Sequence, residues 1–403
     1  MEKLIDIYKS LVYKYNNLCF KVKENDKFVL GIVSNNGPII IKLDKKYYEE
    51  FNVKKIYDLN SFQTLTYASI NILNNTDFDN VSYFIILENT LYDYYGNTKN
   101  VIVPSNVYKI NYECFKDNTF IENVYAPNTT EIDHYAFRNN PNLKSLHAPN
   151  SIWIGNILNC PKLKEYTISP RINGFINEDN NYENSIIHVM DTTYTFDNTI
   201  EKDFMNKFDV IKENDNEEIQ LVKFNKNERL FRSVKDDKRN NTIVALANFE
   251  RLFSLLPEYI KEIFYYTNHE LYIVDSLPDG GWYLENEKSI ILHRDGISIS
   301  FYHEIGHMID VYLDYISSSF DFIRIYQMEA NNLYSKKIDL SRYRLFDHCT
   351  KDEHEYFAES VKRYLNNDNT FKLECPNTYI FINEVFKELE YKYNSNNSLK
   401  LDK

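Results

Sequence analysis

The sequence predicts an α+β protein in which a solenoid of short stacked coils precedes a mostly helical domain with a small sheet. Three observations carry that prediction. In the first half of the chain Pro104, Pro127, Pro149 and Pro170 recur at intervals of 23, 22 and 21 residues. From about residue 241 the apolar period becomes that of an amphipathic helix, with Ala245, Phe249, Leu252, Phe253, Leu256 and Ile260 sharing a face. Between these regions the chain is polar and charged. The resulting segments are a small α/β stretch over 1–82, repeats over 83–200, a polar linker over 201–240 and the helical domain over 241–403.

The first segment opens on Leu4, Ile5, Tyr8, Leu11 and Val12, spaced as a helix's apolar face. Strand-like runs at 28–33 and 39–43 follow, separated by the turn signal Asn35-Asn36-Gly37-Pro38. Within the repeats, three further sets keep the period of the prolines: Ile110, Ile132 and Ile154; Phe115, Phe137 and Leu158; Val124, Leu146 and Tyr166. A period near 22 with fixed apolar positions means coils that each bury their apolar side on the next. Units 132–137 and 142–149 resemble leucine-rich repeats of the BspA-like type, which implies an extended face for a protein partner. A spacer is the plainer alternative. His134 and His147 fall inside repeats and read as ordinary surface positions. In the linker, the charge runs at 212–218 and 235–241 are solvated, although 219–222 has the composition of a strand.

The helical domain places strands at 270–274 and 289–292, with Asp279-Gly280-Gly281-Trp282-Tyr283 between them. Two adjacent glycines in a chain that has nine predict a tight turn or a close backbone approach. Next comes His303-Glu304-Ile305-Gly306-His307, an H-E-x-x-H motif. On a helix, residues four apart project from one face, so both imidazoles can take corners of a tetrahedral zinc site. Glu304 is then placed to pull a proton from the water such an ion activates. Ile305, Ile309, Tyr312 and Leu313 supply the apolar stripe, while His303, His307, Asp310 and Asp314 follow another face. Further on, Thr350 with Glu353 reads as a capping box opening a helix, on which Glu355 and Glu359 share a face. Stacked carboxylates are usually a solvated face, but these lie 48 and 52 residues after His307, in a domain that lacks one ligand.

The order helix, strand, Gly-Gly-aromatic, strand, H-E-I-G-H and E-Y-F-A-E resembles the anthrax lethal-factor-type zinc peptidase domain over roughly residues 241–395. That family includes the clostridial Pro-Pro endopeptidases. The resemblance implies a zincin-like metallopeptidase fold, Zn²⁺ as cofactor and endopeptidase activity on a protein or peptide substrate. It implies His303, His307 and Glu355 as metal ligands, Glu304 as catalytic base and Glu359 as a carboxylate that fixes an imidazole tautomer. It likens the 289–292 strand to an edge along which an extended peptide adds, and Gly280, Gly281 and Trp282 are the candidate substrate-binding residues. The family carries a Tyr seven residues before its carboxylate ligand, and this chain has His348 there. His348 is the candidate oxyanion donor, with Tyr343 the substitute if the loop runs differently. Two alternatives stand beside this reading: a non-catalytic interaction module with a degenerate peptidase domain, and a zinc enzyme acting on a non-peptide amide or ester.

A net charge of −13 without a Lys/Arg-rich run argues against nucleic acid and against an anionic membrane surface as partners. Cys19, Cys114, Cys160, Cys349 and Cys375 are odd in number and form no CxxC pair, which fits a reducing compartment better than a disulfide framework. The N-terminus has no uninterrupted apolar run of signal-peptide type, and no run reaches membrane-spanning length. The expectation is a soluble cytoplasmic protein, with signal-less secretion or delivery left open.

Overall fold

The computed structural model describes residues 20–24, 27–34, 37–42, 55–58, 65–67, 82–87, 89–96, 98–177, 184–196, 221–232, 241–274, 280–332 and 348–400. The helix expected near residues 4–12 lies outside the described residues, and so does Tyr343. The chain divides between Thr193 and Tyr194 into two compact units.

In the first unit, Phe20–Glu24, Lys27–Ser34 and Gly37–Lys42 pair antiparallel, and Lys55–Asp58 joins parallel to the first. The expected turn falls where Ser34 faces Gly37. Each coil of the repeats then contributes two short strands, so two parallel sheets form. One stacks Asn100–Ile102, Asn123–Tyr125, Ser145–Ala148, Glu165–Ile168 and Ile186–Val189. The other stacks Lys109–Ile110, Glu131–Ile132, Trp153–Ile157 and Gly174–Asn177. The apolar ladders are in register. Val101, Val124, Leu146, Tyr166 and Ile187 form one, Ile110, Ile132 and Ile154 the other, and none is more than 1% exposed.

Phe115 and Phe137 stack beneath them with ring centroids 5.1 Å apart. Polar turns keep the same period. Asn139 Nδ2 donates to Asp117 Oδ1, and Asn159 Nδ2 to Asn139 Oδ1, both at 2.7 Å. All three have φ near +60°, a region that Asn and Asp enter more readily than other side chains. The corners of successive coils are therefore tied by side chains that also tolerate the turn.

In the second unit, Leu221–Phe224 (β1) and Arg229–Arg232 (β2) are strands inside the stretch that composition presents as linker. Val222 and Phe224 are buried, while Lys223 pairs with Glu228 and Glu270 at 3.0 Å. Of the strand-like stretch 219–222, Leu221 and Val222 do lie in β1, and the alternation of buried Val222 and Phe224 with Lys223 makes that strand half-buried. With Glu270–Val274 (β3), Gly281–Leu284 (β4) and Ser289–His293 (β5), the sheet order is β4-β5-β3-β1-β2. β5 runs parallel to β3 and antiparallel to β4. The strand expected to be an open edge is thus interior, and β4 is the outer strand among the described residues. Ile290, Ile291 and Leu292 are all fully buried, as a strand covered on both faces requires.

The helices are Asn241–Ser254 (α1), Glu258–Tyr266 (α2), Ile297–Tyr312 (α3), Phe320–Glu329 (α4), Glu353–Leu365 (α5), Phe371–Glu374 (α6) and Pro376–Lys400 (α7). Phe224 of β1 meets Phe253 of α1 at 4.7 Å between centroids, and Phe249 meets Phe301 of α3 at 5.4 Å. This aromatic core fixes α3 against the sheet, and the Tyr302 hydroxyl donates to Leu252 O at 2.9 Å. α5 starts later than its capping-box reading. Asp352, in extended backbone, accepts from Glu355 N at 2.9 Å, so it is the N-cap and Thr350 stands outside the helix. No described helix is long and apolar enough to cross a membrane.

Candidate metal centre

The site is built where α3 and α5 touch. A Cβ on Gly306 would stand 2.6 Å from Ala358 Cα, so only a glycine lets the two backbones come this close. The small residues inside H-E-I-G-H and E-Y-F-A-E therefore bring together the functional side chains around them. His303 Nε2 lies 3.0 Å from Glu355 Oε2 and 3.2 Å from His307 Nε2, and His307 Nε2 lies 3.6 Å from Glu355 Oε2. Those separations bracket about 3.3–3.4 Å, the edge of a tetrahedron whose bonds are the roughly 2.0–2.1 Å of Zn–N and Zn–O.

The protons agree with the spacing. His303 Nδ1 is 3.0 Å from Glu359 Oε2, a carboxylate oxygen that accepts, so Nδ1 carries an N–H and Nε2 is the nitrogen left for a proton or a metal ion. Nε2 faces the carboxylate of Glu355, so a proton or a metal ion must lie between the two. Burial opposes charge on His303, but hydrogen bonds to Glu355 and Glu359 outweigh it and raise the imidazole to about 9. Burial would likewise raise Glu355, yet the hydrogen bonds from His303 and His307 hold it well below the usual carboxylate range. A site that draws a proton this strongly is suited to a metal ion, and the donors fit one. His303, His307 and Glu355 form a candidate metal-binding cluster.

Glu304 is 5% exposed, and burial pushes its carboxyl up against the opposing influence of His303 and His307. A Cβ on Gly281 would stand 2.8 Å from Glu304 Oε1, and His293 N donates to Gly280 O at 3.0 Å. The glycine pair is thus a close approach, laying β4 directly over the acid. Trp282, between Gly281 and Tyr283, projects to the other side of β4 by strand alternation. His348 reaches the rim, its Nε2 3.2 Å from Glu355 Oε2 and its side chain 58% exposed. Glu359 is fully buried behind His303, as a tautomer-fixing residue would be.

Three features escaped the sequence reading. Tyr283 stacks on His307 at 6.3 Å, and its hydroxyl hydrogen-bonds His269 Nε2 at 3.1 Å. Strand alternation from Gly281 would have pointed to it. Cys349 and Lys362 both reach Glu359. Asp310, expected on a polar face, is 2% exposed and binds Ser317 N at 2.9 Å and His354 Nδ1 at 2.9 Å. Ser317 Oγ also meets His354 at Nδ1, at 2.7 Å. A hydrolase triad needs the serine and the acid on different ring nitrogens, so this group ties the end of α3 to the start of α5 and is not a second catalytic centre.

Residues 283–385 match the family described as "Anthrax toxin lethal factor, N- and C-terminal domain". Residues 85–210 match six copies of the "BspA type Leucine rich repeat region". No curated protein matches the chain. Among solved structures, a leucine rich cell surface protein from Faecalibacterium prausnitzii A2-165 is similar at 17% identity and a TM-score of 0.22, over 35% of this chain and 46% of that one. The chain thus carries a BspA-type leucine-rich-repeat region followed by a lethal-factor-type, zincin-like C-terminal domain with a candidate metal site.

Proposed function

We propose that the protein is a zinc-dependent endopeptidase that hydrolyses peptide bonds in a protein substrate. The observation that carries this is the convergence of His303 Nε2, His307 Nε2 and Glu355 Oε2 at tetrahedral spacing, with the buried acid Glu304 beside them. A zinc ion held by those three residues would supply Lewis-acid chemistry, acidifying a water and polarising the scissile carbonyl. Glu304 accepts the proton of the attacking water and passes it to the leaving amine. Its burial favours the protonated form between the two transfers. His348, at the rim, donates a ring N–H to the developing oxyanion, with Tyr343 the alternative donor. The outer edge of β4, with Gly280, Gly281 and Trp282, takes the substrate backbone as an added strand. The repeats serve as a recognition surface that raises the local concentration of substrate.

The test is a peptide-library cleavage profile with added zinc, run beside Glu304→Gln. The wild type should cleave, and Glu304→Gln should keep its zinc while losing nearly all turnover. Equal turnover in both would sink the assignment. The replacement of the family's tyrosine by His348 favours one alternative, an interaction module whose peptidase domain is degenerate. That reading expects zinc binding with no cleavage of any library member.

A further inference from the structure

Behind His303, on the side away from the candidate ligands, a second group of side chains closes around Glu359. His303 Nδ1 donates to Glu359 Oε2 at 3.0 Å and Cys349 Sγ donates to the same oxygen at 3.2 Å. Lys362 Nζ lies 2.9 Å from Oε1 and 3.1 Å from Oε2, spanning both oxygens. Lys362 is three residues along α5 with its side chain 12% exposed, and Cys349 and Glu359 are fully buried. His303, Cys349 and Glu359 have donor atoms within 4.8 Å of one another, close enough for a metal ion. Two features argue against one. Nδ1 of His303 must keep its proton to bond the carboxylate, and the Lys362 ammonium already provides the positive charge. In addition, burial and the neighbouring Glu359 push the Cys349 thiol far up, away from the thiolate that a metal would need.

We propose that Cys349 and Lys362 are positioning residues that clamp Glu359, so that it accepts the Nδ1–H of His303 and leaves Nε2 turned toward the metal site. The proposal rests on the metal-site reading above. A carboxylate held by one donor is free to turn about its terminal torsion, which is broad. Lys362 grips both oxygens and stops that rotation, and Cys349 adds a donor on the very oxygen that His303 uses. The clamp is also shared with the ligand side. His348 and Cys349 are consecutive, one reaching Glu355 and the other Glu359, and Tyr326 holds the next residue by donating to Thr350 O at 3.0 Å. One turn of chain therefore reaches both Glu355 and Glu359 of α5.

The measurement is zinc affinity by competition with a chromogenic chelator, joined by the visible absorption spectrum of the Co²⁺-substituted protein. Variants are Lys362→Met, Lys362→Arg, Cys349→Val and Cys349→Ser. Lys362→Met should bind zinc about 10–100-fold more weakly and alter the Co²⁺ bands, and Lys362→Arg should restore both. Cys349→Val should weaken zinc to a smaller degree, with Cys349→Ser close to wild type. A folded Lys362→Met that binds zinc like the wild type overturns the clamp and leaves the metal centre standing. Where Lys362→Met does not fold, the cysteine pair decides, and Cys349→Val equal to wild type overturns it. Two zinc ions per wild-type chain, reduced to one in Cys349→Val, would also overturn it by making the cluster a metal site. A wild type that binds no zinc removes the metal-site reading and the clamp together.

Discussion

Each ring nitrogen of His303 faces a different carboxylate, and that asymmetry decides what the residue can do. Nδ1 is committed to Glu359, so Nε2 is free to ligate. His348 has no such commitment on its solvent side, which suits a donor that meets substrate. His348→Ala should keep zinc and lower kcat by roughly 10²-fold, the usual cost of one oxyanion donor. Wild-type kcat in that variant would move the donor role to Tyr343. His269 makes a separate prediction. Burial, helped by the charge of Lys288, lowers its imidazole to about 4, against about 6.5 in an unfolded chain. The folded state therefore binds fewer protons between those values. Its contribution is complete above about pH 6.5 and disappears as pH falls toward 4, up to roughly 3 kcal/mol. Urea midpoints across that range should fall for the wild type and fall less for His269→Gln. Identical slopes would count against the assignment.

Between elements, two glycines set the distances on which the site depends. Gly306→Val would drive a side chain into Ala358 and part α3 from α5. The expected result is a loss of about 1–3 kcal/mol in stability together with weakened zinc binding. Gly281→Ala would press on Glu304 Oε1 from β4, so kcat should fall while zinc affinity holds. Zinc loss with kcat per bound metal intact would refute that placement. The helix-borne parts of the site were legible because a four-residue spacing determines which side chains share a face, as with His303 and His307 or Glu355 and Glu359. The repeat ladders were legible because Ile110, Ile132 and Ile154 recur at one period. The outer strand was not. The apolar run 289–292 shows that β5 is buried but not which strands flank it, and the glycine pair 280–281 at the start of β4 looks like a turn. Half of β1 was legible in the strand-like composition of 219–222, β2 was hidden by the arginines at its two ends, and the start of α5 by two capping residues only two positions apart, Thr350 and Asp352. The Cys349–Glu359 contact follows from packing, for which local sequence carries no period, whereas Lys362 stands one turn from Glu359 and was passed over.

At the scale of the whole chain, a repeat region and a zincin-like domain share one polypeptide, which lets recognition and chemistry be separated experimentally. The repeat sheet that contains strands 100–102 and 123–125 carries one row of side chains outward, including Ile102 at 68% exposure and Tyr125 at 40%. Tyr125 stacks on His147 with ring centroids 4.7 Å apart, a flat aromatic pair of the kind that anchors protein contacts. Neither side chain belongs to the buried ladders, which Val101 and Val124 form on the opposite face. Replacing both, Ile102→Ser with Tyr125→Ser, should therefore cost little stability beyond the Tyr125–His147 stack, about 0.5–1.5 kcal/mol, and leave the protein folded. If the repeats are an exosite, the double variant should raise KM for the intact protein substrate. Cleavage of a short peptide spanning only the scissile bond should proceed at wild-type kcat/KM, because that peptide never reaches the repeats. Parallel losses on both substrates would mean that the substitutions act on the catalytic domain. No loss on either would mean that this face of the solenoid is not where substrate is held.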